Sequence, residues 1–255
     1  MLLVIDVGNT NTVIGIFKGK HLVDTWRIRS VKDITCDEFN ILLSGLFAGS
    51  SIDSGRIKKT VVSSVVPSLT AVIDSFCRKY LSTAPHVVDA GSAAGFLKLL
   101  YDNPLEIGAD RIANTVAAYD KYKTSLIIID FGTATTFDAV SEKGEYLGGA
   151  ISPGIMISSE ALFSRAARLP RIEISIPPDK AIGTDTAGSM KSGILFGYAG
   201  LVDGIVKRIV MEMKSQPEII ATGGLAGVIS DLSETIKKVE QNLTMEGLRI
   251  IGSSI

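Results

Sequence analysis

Two runs of consecutive apolar residues, each followed by Asp-x-Gly and small polar residues, stand about half the chain apart. Residues 2–12 read LLVIDVGNTNT and residues 126–136 read LIIIDFGTATT. Each run continues into a second β-prone segment, at 13–17 and at 136–140. Direct alignment superimposes three pairs: Asp6 with Asp130, Gly8 with Gly132 and Thr12 with Thr136. The pattern predicts a β-hairpin that occurs twice, and internal repetition of this kind indicates two similar halves.

The remaining hydrophobic periodicity extends the repeat. Residues 21–30 alternate apolar and polar positions, which predicts a third antiparallel strand. The first half further predicts a helix over 35–47, a strand over 59–66, a helix over 68–81 and a short strand over 86–89. The second half predicts strands over 125–130, 133–141 and 145–151, helices over 154–168 and 186–214, a strand over 219–224 and a helix from 225. A helix over 108–121 is expected to link the halves.

This order of elements resembles the duplicated ribonuclease-H-like architecture of the sugar kinase, heat-shock 70 and actin group. The predicted fold class is therefore α/β, with two similar ribonuclease-H-like halves of mixed sheets flanked by helices. We place the halves at 1–115 and 116–255. In that architecture a nucleotide lies in the cleft between the halves, an analogy of fold that does not by itself determine a function.

The residues of the repeated hairpin suit an anion. Glycine lets the backbone turn tightly and approach a phosphate, while Asn and Thr offer amide and hydroxyl donors. An aspartate at the strand end can hold a hard cation, which takes oxygen ligands. For one such hairpin alone, a plain strand-turn-strand capped by Asp is the simpler interpretation. Its recurrence favours phosphate binding.

Composition and charge exclude several classes. With 46% hydrophobic residues, the chain of 255 residues can bury one large core or two smaller ones. The 26 basic and 27 acidic residues argue against a nucleic-acid partner held by phosphate charge. No apolar window reaches the roughly 18 residues that span a membrane, and Leu2 to Ile5 lack the basic leader of a signal peptide. Cys36 and Cys77 are expected to be reduced thiols, and only two histidines make a His-ligated metal or a Ser-His-Asp triad unexpected.

Three further segments could carry chemistry, although the chain has neither a G-x-x-x-x-G-K-[ST] loop nor a protein-kinase signature. In GADR (108–111), Asp110 could accept a proton from a hydroxyl while Arg111 pairs with a carboxylate. The alternative is an ordinary helix-start acid beside a surface arginine. In GGAISPG (148–154) the backbone amides could face an anion at a helix start, and on ATGG (221–224) an adenosine could lie flat. Structural turns are the alternative for both.

In this order the motifs resemble the type III pantothenate kinase family. They are DVGNTNT (6–12), YDNPLEIGADR (101–111), DFGTATT (130–136), GGAISPG (148–154), IGTDTAGSMKSG (182–193) and ATGG (221–224). The resemblance implies ATP-dependent phosphorylation of the 4′-hydroxyl of pantothenate, the first step toward coenzyme A. It also implies Mg²⁺ or another divalent cation, K⁺ or NH₄⁺, a cytoplasmic location and a homodimer.

The resemblance also implies a set of site residues. The ATP-binding residues are Asp6, Val7, Gly8, Asn9, Thr10, Asn11, Thr12, Val13 and Thr133. The pantothenate-binding residues are Tyr101, Gly108, Ala109, Asp110, Arg111 and Thr186, with Asp110 as the catalytic proton acceptor. Asp130 is implied to hold the monovalent cation, and Asp6 to lie near the divalent one. One departure is Asp185, where many members carry Asn: an acid there disfavours a substrate carboxylate unless it points away.

Two other functions stay open. A hydrolase of the same superfamily would use Asp110 to activate water, and a regulatory protein would bind ATP and pantothenate without turnover. The presence of Asp6, Asp110, Arg111 and Asp130 favours the kinase. Over 186–214, apolar residues follow one side of a helix, which either packs on the sheet of its own half or forms a dimer interface.

Overall fold

The computed structural model describes residues 1–166 and 168–255, and these residues form two compact units. Unit 1 comprises Met1–Asp120 and Leu243–Ile255, and unit 2 comprises Lys121–Asn242. The sequence placed the division at 115/116 and assigned everything after it to the second half. Because the helix that links the halves packs as one element, the division falls near its end, and the C-terminal residues lie with unit 1.

Unit 1 is built on a mixed sheet with the strand order β3-β2-β1-β4-β5. Its strands are β1 (Leu2–Val7), β2 (Asn11–Lys18), β3 (His21–Arg29), β4 (Lys59–Ser64) and β5 (His86–Val87). β1 and β2 are antiparallel, as are β2 and β3, whereas β4 runs parallel to both β1 and β5. The predicted order of three strands, helix, strand, helix, strand is confirmed.

Helices cover both faces of this sheet. Helices α1 (Cys36–Gly49) and α2 (Pro67–Tyr80) enclose a core of aliphatic and aromatic side chains on one face. α1 starts at a capping box, in which the Thr35 hydroxyl accepts from the Glu38 amide and the Glu38 carboxylate accepts from the Thr35 amide. A short strand β6 (Lys98–Leu99) precedes α3 (Ala109–Tyr122), which places the predicted linking helix one residue later than expected.

Unit 2 repeats the plan with the strand order β9-β8-β7-β10-β11. Its strands are β7 (Leu126–Phe131), β8 (Ala134–Val140), β9 (Glu145–Pro153), β10 (Glu218–Gly223) and β11 (Lys238–Val239). Its helices are α4 (Ile155–Arg165), α5 (Thr186–Met213) and α6 (Ala226–Ser230). The helix predicted over 154–168 ends at Arg165, and residue 167 lies outside the described part of the chain. The two matching strand orders confirm the duplicated α/β fold.

The long helix α5 packs on the sheet of its own unit. Ile194, Leu195, Tyr198 and Val202 are buried in the core with the β7 strand residues, and further apolar residues of α5 pack against that core. Of the two interpretations of residues 186–214, packing within the half therefore accounts for the apolar side of this helix. No helix among the described residues is long and apolar enough to cross a membrane.

The last element, α7 (Leu243–Ser254), was not predicted from the sequence. It lies against β1 and β4 of unit 1, on the face opposite α1 and α2, and buries Met245, Leu248 and Ile251. The Thr244 hydroxyl also donates to the Asn114 side chain of α3 at 2.7 Å. Long-range packing therefore assigns the C-terminus to the unit that contains the N-terminus.

Candidate active site

The first repeated hairpin ends in the turn Gly8–Asn11, which we call the first turn. β1 and β2 pair so that Asp6 faces Val13 and Val7 faces Thr12. The Gly8 amide donates to the Asn11 carbonyl at 3.0 Å and closes the turn. Asn9, Thr10 and Asn11 are exposed, whereas the Thr12 side chain is buried. The turn therefore presents small polar residues to solvent above a buried base.

The second repeated hairpin ends in the turn Gly132–Ala134, the second turn. It is closed by the Gly132 amide, which donates to the Ala134 carbonyl at 3.1 Å, and Thr133 is exposed at its tip. Here Phe131 faces Thr135, as Val7 faces Thr12 in unit 1. The second turn is thus one residue shorter than the first, and the structural counterpart of Thr12 is Thr135. The direct alignment of Thr12 with Thr136 was wrong by one position because it allowed no gap.

The second turn sits on Gly154, the residue between β9 and α4. The Gly154 amide donates to the Thr133 carbonyl at 3.2 Å. A Cβ atom at this position would lie 2.7 Å from the Gly132 carbonyl oxygen and nearer still to that of Thr133. Tyr198 of α5 secures the same loop, because its hydroxyl donates to the Pro153 carbonyl at 2.9 Å and also contacts the Ser158 hydroxyl. Gly154, the last glycine of GGAISPG, is therefore required by close backbone packing.

Asp130 is the second-last residue of β7, beside the second turn, and it lies next to the ATGG segment. β10 runs parallel to β7, with Thr222 opposite Asp130 and Gly223 opposite Phe131. Gly223 has a φ of +93°, and a Cβ there would lie 2.6 Å from Asp130 Oδ1 and 2.7 Å from the Phe131 carbonyl oxygen. A carboxylate and a carbonyl oxygen therefore converge on a position where only glycine leaves room, and such oxygens are the ligands that hard cations take.

The GADR segment forms the start of α3. Asp110 is half-buried, and its Oδ1 accepts from the Arg111 amide at 2.8 Å. The same oxygen lies 2.5 Å from where a Cβ of Gly108 would be, so the glycine makes room for the carboxylate. Arg111 is only 6% exposed, so it is not the surface arginine that the alternative interpretation of this segment predicted. Ala109 is buried and Tyr101 is half-buried on the preceding segment.

Asp185 caps the long helix of unit 2. Its Oδ1 accepts from the Gly188 amide at 2.7 Å, and Thr186 is the exposed first residue of α5. A helix N-terminus favours a negative side chain, which satisfies amides that have no partner within the helix. The carboxylate of Asp185 is therefore directed at the amides of its own helix.

The structure groups the predicted residues by unit. Asp6–Val13, Tyr101 and Gly108–Arg111 belong to unit 1, and Asp130, Thr133 and Thr186 belong to unit 2. Among the described residues no group of three or more His, Cys, Asp or Glu side chains could hold a metal by itself.

Two residues that matter to the turns were not singled out from the sequence. Ser30, directly after β3, contacts the first turn at three points. Tyr198, on α5, secures the loop beneath the second turn. The only sequence signal for Ser30 was its place at the end of the predicted third strand. Gly154 has the corresponding place in the other half, directly after β9.

Comparison with known proteins assigns the chain to a family. Residues 2–208 match the family model described as type III pantothenate kinase. A protein named type III pantothenate kinase from Desulforapulum autotrophicum is 58% identical over 251 residues, which is 98% of this chain and 96% of the relative. One of the same name from Desulfatibacillum aliphaticivorans is 59% identical over 251 residues, 98% of this chain and 97% of the relative.

Solved structures share the fold at low identity. A putative Baf family transcriptional activator from Campylobacter jejuni has a TM-score of 0.62 at 17% identity, covering 99% of this chain and 98% of the other. A ROK family glucokinase from Streptomyces griseus, solved with glucose and AMPPNP, has a TM-score of 0.54 at 10% identity, covering 99% and 100%. These two likenesses support the architecture alone.

Proposed function

The chain belongs to the type III pantothenate kinase family and phosphorylates pantothenate with ATP in coenzyme A biosynthesis, and on this premise we propose how its residues share that work. The observation that carries the assignment of roles is the pair of closed, polar turns, each behind a strand-end aspartate. Phosphoryl transfer needs positioned donors, cations and a carboxylate near the acceptor hydroxyl, with little covalent chemistry by the protein.

The phosphates of ATP contact residues Asp6 to Val13 of unit 1 and Thr133 of unit 2. The exposed amides, hydroxyls and side-chain amides of the first turn are suitable donors for phosphate oxygens. Thr133 is exposed at the tip of the second turn, and Gly154 and Tyr198 support the backbone beneath it. Donors that are already oriented lose little freedom when the nucleotide binds.

The cations are assigned to the two strand-end aspartates. Mg²⁺ is ordinarily held by one or two carboxylates together with substrate phosphates, which suits the single carboxylate of Asp6. Asp130, beside the Phe131 carbonyl oxygen, suits K⁺ or NH₄⁺. Bound with ATP, these cations would neutralise phosphate charge that the two aspartates would otherwise repel.

Pantothenate is assigned to Tyr101, Gly108, Ala109, Asp110 and Arg111. Asp110 accepts the proton of the 4′-hydroxyl of pantothenate. At the same time the hydroxyl oxygen forms a bond to the γ-phosphorus of ATP, and the bond between that phosphorus and the oxygen of ADP breaks, which yields 4′-phosphopantothenate and ADP. The Arg111 amide already binds Asp110 Oδ1 and holds that carboxylate in place. The buried guanidinium of Arg111 supplies positive charge for the carboxylate of pantothenate.

The active form is proposed to be a homodimer in which Thr186 contributes to the pantothenate pocket. The support is that β9 and α4 of unit 2 leave five large apolar side chains exposed: Leu147, Ile151, Met156, Ile157 and Leu162. A permanent interface buries on the order of 2,000 Å² or more.

We further propose a cytoplasmic location, since Cys36 and Cys77 are unpaired; cell fractionation tests this.

A coupled assay of ADP release, with and without pantothenate, tests the function. ADP release that depends on pantothenate, with a product one phosphate heavier by mass spectrometry, is the expected result. ADP release independent of pantothenate would instead indicate the hydrolase. ATP binding without any turnover would indicate the regulatory protein.

A further inference from the structure

Ser30 ties down the first turn from the end of the neighbouring strand. Its amide donates to the Thr10 carbonyl at 3.0 Å. Its hydroxyl donates to the Gly8 carbonyl at 2.7 Å and lies 2.9 Å from the Thr12 hydroxyl. One residue, 22 positions from Gly8 along the chain, therefore contacts the turn at its start, its middle and its buried base.

These contacts determine which way the peptide groups of the turn face. In a trans peptide the carbonyl and the following amide point in opposite directions. Because Ser30 binds the carbonyls of Gly8 and Thr10, the amides of Asn9 and Asn11 point away from Ser30. The peptide groups that follow Gly8 and Thr10 therefore turn their N–H donors to the side opposite Ser30, and N–H donors are what a phosphate requires.

The equivalent position in unit 2 works differently. Gly154 also follows the third strand of its unit, and its amide also donates to a carbonyl of the turn, that of Thr133 at 3.2 Å. A side chain is excluded there because a Cβ would meet the carbonyl oxygens of Gly132 and Thr133. The shorter second turn therefore rests directly on backbone. The longer first turn has one more residue to hold in place, and the hydroxyl of Ser30 does so.

We propose that Ser30 is a positioning residue for ATP: its hydroxyl holds the first turn in the conformation whose amides face the phosphates. This inference rests on the proposed function, in which the first turn binds the phosphates. Ser30 itself touches neither substrate in this proposal. It acts through Gly8, Thr10 and Thr12.

The test is steady-state kinetics of Ser30→Ala. The variant loses both hydroxyl contacts but keeps the amide bond to Thr10. Because both hydroxyl contacts to the turn are lost, we expect the KM for ATP to rise about tenfold, which corresponds to about 1.4 kcal/mol. The KM for pantothenate at saturating ATP should stay within about twofold of wild type by the same reasoning. Ser30→Thr, which restores a hydroxyl, should recover most of the ATP affinity.

Two comparisons separate positioning from general damage. Thr25→Ala removes an exposed hydroxyl from β3, the strand that Ser30 follows, and should leave both KM values unchanged. Should Ser30→Ala fail to fold, Ser30→Val and Ser30→Thr replace it, because these two side chains have the same shape and differ only in the hydroxyl. A higher KM for ATP in the Val variant supports the proposal, whereas equal values in the pair overturn it.

The remaining outcomes are equally decisive. An unchanged KM for ATP in folded Ser30→Ala, or parallel rises in the KM values for ATP and pantothenate, overturns the positioning role. If wild-type protein releases no ADP in response to pantothenate, the proposed function fails instead. Calorimetric titration of ATP into wild type and Ser30→Ala then still decides the role of Ser30, since it measures binding without turnover.

Discussion

Gly154→Ala adds a single methyl group beneath the second turn, and the structure shows where that group must go. Its carbon would lie 2.7 Å from the Gly132 carbonyl oxygen, and closer to that of Thr133, whereas ordinary contact begins at 3.4 Å. Both obstacles are backbone atoms, so no side chain can rotate aside. The turn itself must move by roughly 1 Å, a misplacement that can cost about 10²-fold in rate when it affects a reacting group.

We therefore expect the kcat/KM for ATP to fall about 100-fold in Gly154→Ala. Overpacking of this kind also destabilises a protein by about 1–3 kcal/mol, which thermal or denaturant unfolding would measure. Gly200→Ala is the matched control, because it lies exposed in α5 of the same unit with nothing within 4 Å of the added carbon. There alanine should stabilise the helix by about 0.5–1 kcal/mol and leave the kinetics unchanged. Wild-type kcat/KM in Gly154→Ala would refute the argument that this glycine sets the position of the second turn.

Four further predictions concern the base, the cation, stability and assembly. Asp110→Asn should lower turnover by about 10²–10⁴-fold with little change in ATP affinity. Asp102→Asn, in the exposed loop before α3, is the control and should keep wild-type turnover. Near-wild-type turnover in Asp110→Asn would exclude Asp110 as the base. Activity should rise strongly when K⁺ or NH₄⁺ is added to sodium buffer, and Asp130→Ala should lose this response; full activity of wild type without either ion contradicts the assignment. Burial raises the pKa of Asp203, but hydrogen bonds from Ser233, Thr235 and the Glu234 amide outweigh it, so the pKa is lowered on balance. The stabilisation of the folded state by the ionised Asp203 is present above the unfolded carboxyl pKa of about 3.9 and is lost as the pH falls through the lower folded value. Asp203→Asn should therefore lower the free energy of unfolding by roughly 2 kcal/mol at pH 7, and by progressively less below about pH 4. Asp231→Asn, at an exposed position, is the control. Sedimentation of an active preparation at micromolar concentration should give the mass of two chains, and a mass near one chain would disprove a pocket completed by the partner subunit's Thr186.

The repeated hairpins could be read from the sequence because their signals are local. An apolar run, an aspartate and a glycine turn lie within a dozen residues, and each determines its own strand or turn. The same holds for Asp110 at the start of α3, where Gly108 and Arg111 are immediate neighbours. The order of the longer strands and helices as far as α6 followed from periodicity, since buried faces repeat with the period of each element. The short strands β6 and β11 and the helix α7 were not predicted.

Tertiary structure decided what local patterns do not contain. The one-residue difference between the turns appeared only in the strand register, which pairs Val7 with Thr12 but Phe131 with Thr135. α7 joined unit 1, and the apolar side of α5 was covered by its own sheet, because each buries its side chains against strands distant in the chain.

The supports of the two turns follow the same division. The sequence by itself determined the fold, the family and the residues at each turn, because these depend on neighbours in the chain. It did not indicate that the Ser30 hydroxyl holds Gly8 from 22 residues away, or that Gly154 must lack a side chain because of Gly132 and Thr133. Contacts of this kind exist only after the strands have paired, so the conformation of a turn is decided by residues that approach it in three dimensions.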